Sequence, residues 1–118
     1  MEEFGYRKLI VWQEAKRLVI EIYKLTKKFP KSELFGLVSQ MQRAAVSVVT
    51  NVAEGWLRRS VVDKKRYLEI AQGSLLELAA ELDVAEGVGY IEKANADKIM
   101  KKIHATNYLL DRYTKSLT

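Results

Sequence analysis

The chain has 118 residues, a net charge of +5, no cysteine, one proline and six glycines. This length suits one domain over residues 1–118, the lack of cysteine excludes disulfides and thiolate metal sites, and the scarcity of proline and glycine argues for long helices. No apolar run approaches the roughly 20 residues of a membrane span, and the first residues, MEEFGYRK, lack the apolar core of a signal peptide. We therefore expect an all-α protein of the cytoplasm that makes no membrane contact.

The first predicted helix runs from about Val11 to Phe29. It ends there because Pro30 has no backbone N–H and disfavours a helical conformation at the residue before it. Its inward side chains repeat at steps of three and four: Trp12, Ala15, Val19, Ile22, Thr26 and Phe29. The preceding lead-in, Met1 to Ile10, offers four side chains that could cover one end of a helical bundle: Phe4, Tyr6, Leu9 and Ile10.

The second predicted helix has two contrasting faces. Ser32 is its expected N-cap, and it continues to about Gly55 or Arg59. One face is apolar and carries Leu37, Met41, Ala44, Ala45, Val48, Val49 and Val52. The opposite face is a single polar stripe, because steps of three and four keep its members together: Gln40, Arg43, Ser47, Asn51 and Glu54.

The third and fourth predicted helices complete a bundle. Ser60 and Asp63 form an S-x-x-D capping signature at the start of the third helix, and Gly87 and Gly89 end it. Its apolar seam is Leu68, Ala71, Leu75, Leu78, Leu82 and Ala85. The fourth helix runs from about Glu92 to Tyr113, with inward Ala96, Ile99, Met100, Ile103, Leu110 and Tyr113. Four amphipathic helices with short connections predict an antiparallel up-down-up-down four-helix bundle.

The polar stripe of the second helix allows two interpretations. Its members face water, or some are buried and paired, since an unpaired buried polar group costs roughly 1–3 kcal/mol. Ser74 and Glu77 on the third helix are candidate partners. We hypothesise that Arg43 pairs with Glu77, that Gly73 lets the helices approach closely, and that the pair fixes their register more than it adds stability.

Basic and acidic residues are segregated along the sequence. Five bases surround the turn between the second and third helices, beside Trp56 and Tyr67: Arg58, Arg59, Lys64, Lys65 and Arg66. Bases next to aromatic rings could hold phosphates and stack a nucleobase. The alternative is a solvated turn with Trp56 in the core or in a subunit contact. Tyr67 to Glu92 contains six acids and no lysine or arginine.

Two further groups of lysines lie on the first and fourth helices. They are Lys24, Lys27 and Lys28, and Lys98, Lys101 and Lys102. These lysines could form a second basic surface, although the signal is weaker because lysines are common on exposed helix faces.

The sequence does not indicate a catalytic site. His104 is the only histidine, so neither a His/Cys metal site nor a nucleophile–base pair is expected. Glu54 with Glu77 or Glu81 could form a carboxylate pair, but no pocket motif accompanies them. No glycine-rich phosphate-binding motif occurs. We therefore expect a protein that is not an enzyme and that needs no cofactor.

Four blocks of residues resemble a known family. The blocks are Leu9, Val11, Trp12 and Gln13; Phe29, Pro30 and Glu33; Gln40, Arg43, Ala44, Ala45, Ser47, Asn51, Val52, Ala53, Glu54 and Gly55; and Ile70, Ala71, Gly73, Ser74, Glu77 and Leu78. They are similar to the four-helix bundle family of 23S rRNA intervening-sequence proteins, whose relatives include the accessory variability determinant of diversity-generating retroelements. Gln42 departs from the second arginine that many relatives carry there.

The resemblance implies a homopentameric ring of four-helix bundles. Relatives of the retroelement type are basic, bind nucleic acid and contact a reverse transcriptase, which implies rRNA or another nucleic acid, and a protein such as a reverse transcriptase, as partners. The segregated charges independently suit head-to-tail contact in a ring, although both charged runs could instead be solvated faces of a monomer. We expect RNA or DNA binding through a basic surface; the alternative is a ring-shaped scaffold for proteins without nucleic-acid binding.

Overall fold

The computed structural model describes residues 5–118, and four α-helices build it. They are α1 (Ile10–Thr26), α2 (Leu37–Leu57), α3 (Val61–Gly87) and α4 (Lys93–Ser116), with 3-10 turns at Gly5–Lys8 and Lys31–Glu33. The described residues contain no strand. None of their helices combines the length and the apolar character that a membrane crossing requires.

The four helices pack as a bundle, as predicted. Each helix contacts the next one along the chain, α1 also contacts α4, and the contact between α2 and α3 is the most extensive. Ser47 of α2 meets Ser74 of α3, and the later residue Gly55 meets the earlier residue Leu68. Residue numbers therefore increase along α2 as the numbers of their partners in α3 decrease, so these two helices run in opposite directions.

The core consists of one large and one small cluster of buried side chains. All six residues of the predicted α3 seam are buried, at relative exposures of 2% or less. The small cluster, nearer the start of α1, contains Val11, Val52, Leu68, Ala71 and Leu110. Burying a leucine or valine side chain stabilises the folded state by roughly 1.5–3 kcal/mol. The six-residue seam is therefore the main apolar stabilisation that α3 supplies.

The lead-in covers one end of the bundle in the part of it that the structure describes. Phe4 lies outside the described residues. The ring of Tyr6 meets the ring of Trp12 edge-on, with centroids 5.0 Å apart. Leu9 packs against the small cluster, whereas Ile10 is exposed, so the expectation that Ile10 covers the bundle end is wrong.

The predicted ends of α1 and α2 need correction. α1 ends at Thr26 instead of Phe29, since Lys28 and Phe29 donate to carbonyls only three residues back. α2 begins at Leu37, because Lys31–Glu33 forms a separate 3-10 turn after Pro30. Ser32 is therefore not the N-cap; the Glu33 carboxylate accepts the N–H of Leu37 at 3.2 Å instead.

The ends of α3 agree with the capping signals in the sequence. The Ser60 hydroxyl accepts the N–H of Asp63 at 3.1 Å, as the S-x-x-D signature predicts. Gly89 follows the helix with a φ of 87°, a conformation that glycine adopts readily. α4 extends to Ser116, three residues beyond the predicted end.

Close approach of α2 and α3 occurs at Gly55, not at Gly73. A Cβ atom at Gly55 would lie 3.1 Å from the carbonyl oxygen of Lys64 and 3.2 Å from Cδ2 of Leu68. A Cβ atom at Gly73 would meet nothing within 4 Å. The hypothesis that Gly73 brings the two helices together is therefore wrong.

We predict that Gly55→Ala destabilises the protein by about 1–2 kcal/mol, because the added methyl group must displace a backbone carbonyl and a packed leucine. Urea unfolding followed by circular dichroism measures the change. Gly87→Ala is the matched control, because a Cβ atom there meets nothing within 4 Å; it should leave the free energy of unfolding unchanged or raise it. Equal stability of the two variants would contradict the proposed role of Gly55.

Candidate nucleic-acid interface

The predicted basic site at the α2–α3 turn is largely engaged with its own chain. Arg58 forms an ion pair with Glu54, and this hydrogen bond raises the pKa of the Arg58 guanidinium. Lys64 donates from Nζ to the carbonyl oxygen of Trp56 at 2.8 Å. Arg66 lies 3.6 Å from the Asp63 carboxylate. Three of the five predicted bases therefore already have partners that would have to be exchanged for phosphates.

The other two predicted bases, Arg59 and Lys65, have no such partner among residues 5–118. Arg59 is exposed and Lys65 is half-buried. The structure therefore brings the five bases to one turn of the chain, but it leaves two of them free.

The aromatic rings beside this turn are partly covered. The Trp56 ring lies directly against the backbone of Gly5, since a Cβ atom at Gly5 would fall 2.5 Å from it. The guanidinium of Arg58 lies over the Tyr67 ring, 4.9 Å from its centroid, as in a cation–π contact. Each ring therefore already has a neighbour within the protomer, and both side chains are half-buried, which leaves less ring surface for stacking a nucleobase.

A small polar network does cross between α2 and α3. The hydroxyl groups of Ser47 and Ser74 are 2.7 Å apart. The side-chain amide of Asn51 donates to the Ser47 carbonyl oxygen at 2.8 Å and to its hydroxyl at 3.1 Å. Ser74 is buried and the other two are half-buried. Part of the polar stripe is thus buried and paired, and the bond between Ser47 and Ser74 links the two helices.

The hypothesised pair between Arg43 and Glu77 does not form. Both side chains are exposed, and neither makes an ion pair or hydrogen bond among residues 5–118. With exposed Gln40 and the two serines, they line an open groove of about 470 Å³ between α2 and α3. Both long side chains stay in water instead of pairing across this groove.

Glu81 is the residue of this groove whose environment the sequence did not reveal. Its Oε1 atom is buried without a hydrogen-bond partner in the described chain. Burial raises the pKa of Glu81, and the charge of Glu77, one turn earlier, raises it further. The spacing of four residues between the two glutamates was visible in the sequence, but the burial depends on how α3 is rotated in the bundle.

The structure gathers the lysines of α1 and α4 into one groove. One lysine of α1, the lysine two residues after its end and three lysines of α4 line a groove of about 740 Å³: Lys24, Lys28, Lys98, Lys101 and Lys102. All five are exposed. Lys102 lies 3.4 Å from the Glu21 carboxylate, and the other four make no ion pair within the described part of the chain. We call this surface the lysine groove.

The composition of the lysine groove is strongly cationic. Two acids, Glu21 and Glu92, also line it, so its net charge is positive.

Tyr90 also lines the lysine groove, and its hydroxyl donates a hydrogen bond to Glu33 at 2.6 Å. That bond and the hydrogen bond from the amide of Leu37 lower the pKa of Glu33. The sequence showed both lysine clusters, but only the packing of α1 beside α4 joins them.

Residues 5–118 contain no group of three or more histidine, cysteine, aspartate or glutamate side chains arranged to hold a metal ion. His104 is exposed on α4. It lines an apolar groove between α3 and α4, together with Gly73 and Leu76.

We predict that Glu81→Gln raises the melting temperature at neutral pH by a few degrees. The folded state raises the pKa of Glu81, so the ionised carboxylate lowers stability at neutral pH, and this cost fades as the pH falls through the folded-state value. Thermal unfolding across a pH series measures the difference from wild type, which should shrink in acid. Asp83→Asn, at an exposed site on the same helix, is the control; a variant difference that is independent of pH at Glu81 would contradict the prediction.

Comparison with known proteins places this fold in a family. No curated protein matches the chain. Among solved structures, a protein of unknown function from the S23 ribosomal protein family of Bacteroides thetaiotaomicron superposes with a TM-score of 0.83 at 22% sequence identity, covering 90% of this chain and 99% of that one. This likeness confirms the fold. The family model described as 23S rRNA-intervening sequence protein matches residues 7–112, and the chain therefore belongs to that family.

Proposed function

We propose that the protein is a homo-oligomeric nucleic-acid-binding bundle that holds the phosphate backbone of RNA or DNA in the lysine groove. The observation that carries this proposal is the convergence of five exposed lysines, from α4 and from the C-terminal end of α1 with the residues after it, on one groove. Lysine side chains neutralise phosphates by releasing condensed counterions, and this contribution does not depend on sequence. The groove offers no open aromatic platform, so we propose contact with the backbone without base readout.

The lysine groove fits this role better than the α2–α3 turn does. Four of its five lysines are free of ion pairs within residues 5–118, whereas Arg58, Lys64 and Arg66 are engaged with Glu54, Trp56 and Asp63. A free lysine gains a phosphate without losing an existing partner. The turn is therefore the secondary candidate, through Arg59 and Lys65.

The oligomeric half of the proposal is a homopentameric ring, as the family resemblance implies. A ring would repeat the lysine groove around its circumference, and repeated weak sites on one particle bind a long polymer far more tightly than one site does. We also propose that the protein acts in the cytoplasm and has no catalytic activity of its own.

A ring-shaped scaffold for another protein, such as a reverse transcriptase, is the second candidate. Phe35 and Leu76 are 93% and 72% exposed, and the free energy gained by removing such apolar side chains from water favours some protein contact. This candidate predicts nucleic-acid binding that is absent or insensitive to salt.

The proposal is tested by fluorescence anisotropy with a labelled RNA hairpin and a DNA hairpin of the same sequence, titrated at several salt concentrations. We predict that the triple variant Lys24→Gln, Lys98→Gln, Lys101→Gln binds both hairpins more weakly. Its slope of log affinity against log salt should be smaller by about three, since each neutralised phosphate contributes about 0.9.

The matched control is the triple variant Arg59→Gln, Lys65→Gln, Arg66→Gln at the α2–α3 turn. It removes the same number of charges, so an effect of net charge alone would weaken both variants equally. We expect the control to keep most of the wild-type slope. The reverse result would move the site to the turn, and no salt-dependent binding by the wild type would favour the protein scaffold.

A further inference from the structure

The connection between α1 and α2 presents two apolar side chains to solvent. Phe35 is 93% exposed and Leu34 is 55% exposed. They follow the 3-10 turn Lys31–Glu33, whose last residue is fixed at both carboxylate oxygens: Oε1 accepts from Leu37 and Oε2 from Tyr90. The N–H of Leu34 also bonds to the carbonyl oxygen of Lys31 at 3.1 Å. This loop therefore holds Phe35 outward in a defined position.

A groove between α3 and α4 has no occupant within the protomer. It measures about 480 Å³ and is lined mainly by apolar or small residues, including Gly73, Leu76, Ala79 and Ile103. Leu76 is 72% exposed. The volume lies within the range of about 300–1,000 Å³ that is typical of binding pockets.

Gly73 strengthens the case that something enters this groove. Glycine inside a helix is less favourable than alanine, and Gly73 lies in the middle of a 27-residue helix. Nothing in the protomer requires it, since a Cβ atom there would meet open space. A side chain from outside that packs against the bare helix backbone would account for the glycine.

The charges around the two surfaces are complementary. Exposed Lys27 and Lys31 flank the loop that carries Phe35, and neither forms an ion pair among residues 5–118. The α3–α4 groove is bordered by Glu69 and by no lysine or arginine, whereas Glu77 and Glu81 of the same helix line the groove toward α2. The loop with Phe35 thus carries positive charge, and the apolar groove carries one negative charge at its border.

We propose that Phe35 and Leu34 of one copy dock into the α3–α4 groove of a second copy. This inference rests on the oligomeric half of the proposed function and identifies its contact. Phe35 does not fill the groove of its own chain, because it is almost wholly exposed. The occupant is a second copy because the apolar loop and its matching charges are present on this chain itself.

The contact joins two different surfaces, so each copy donates its loop to one neighbour and receives the loop of another. Contacts of this head-to-tail kind close into a ring when the rotation between copies permits it. The lysine groove is not part of the contact, so oligomerisation leaves it available for phosphates.

The test uses light-scattering mass measurement on the full chain. Phe35→Ser removes the inserted side chain, and Leu76→Arg fills the groove and repels the lysines of the incoming loop. Both sites are exposed, so both variants should keep the wild-type helical circular dichroism. We predict that the wild type is oligomeric and that each variant has the mass of one protomer. Ile10→Ser, at another exposed apolar site, is the control and should keep the wild-type mass.

Mixing the two variants gives the decisive result. Phe35→Ser retains an intact groove and Leu76→Arg retains an intact loop, so one contact per pair is restored. We predict a one-to-one dimer that grows no further. A Phe35→Ser protein with the wild-type mass, or a mixture that stays monomeric, would overturn this contact while leaving the ring open to another surface. A monomeric wild type would overturn the ring as well, whereas the salt titration judges nucleic-acid binding separately.

Discussion

The antiparallel contact between α2 and α3 is the constraint on which the rest of the structure depends. Gly55 allows the backbones of the two helices to approach closely next to the α2–α3 turn. Two turns of α2 earlier, the bond between Ser47 and Ser74 fixes how the helices are aligned. Small residues at both points allow a short separation between the two helices, and the seam of α3 is buried in the core of the bundle.

This alignment also decides which charged residues are free. Arg43 and Glu77 stay in water, and Glu81 has a buried oxygen without a partner among residues 5–118. At the turn, Arg58 forms an ion pair with Glu54, and Lys64 donates a hydrogen bond to the carbonyl oxygen of Trp56. The largest group of unpaired basic residues, in the lysine groove, lies on the opposite side of the bundle, between α1 and α4.

The two proposed surfaces occupy different parts of the molecule and use different physics. The lysine groove would bind by long-range electrostatics, which added salt screens. The loop with Phe35 and the α3–α4 groove would associate mainly by burying apolar surface. Each Å² of apolar surface removed from water stabilises the contact by roughly 25 cal/mol. A protein that uses both could assemble and bind nucleic acid independently, since no residue is shared between the two surfaces.

The sequence by itself determined the class of fold, the seam of α3 and the Ser60 cap, since helical periodicity and capping depend on neighbours within a few residues. The motifs that carried the family resemblance are likewise short blocks of neighbouring residues. Tertiary structure decided the rest: that the carboxylate of Glu33 and not the hydroxyl of Ser32 accepts an N–H at the start of α2, that Gly55 and not Gly73 is the point of close approach, and that Arg43 does not reach Glu77. It also decided that lysines more than 70 positions apart in the chain line one groove. These features depend on the rotation and spacing of packed helices, which the pattern within a single helix does not specify.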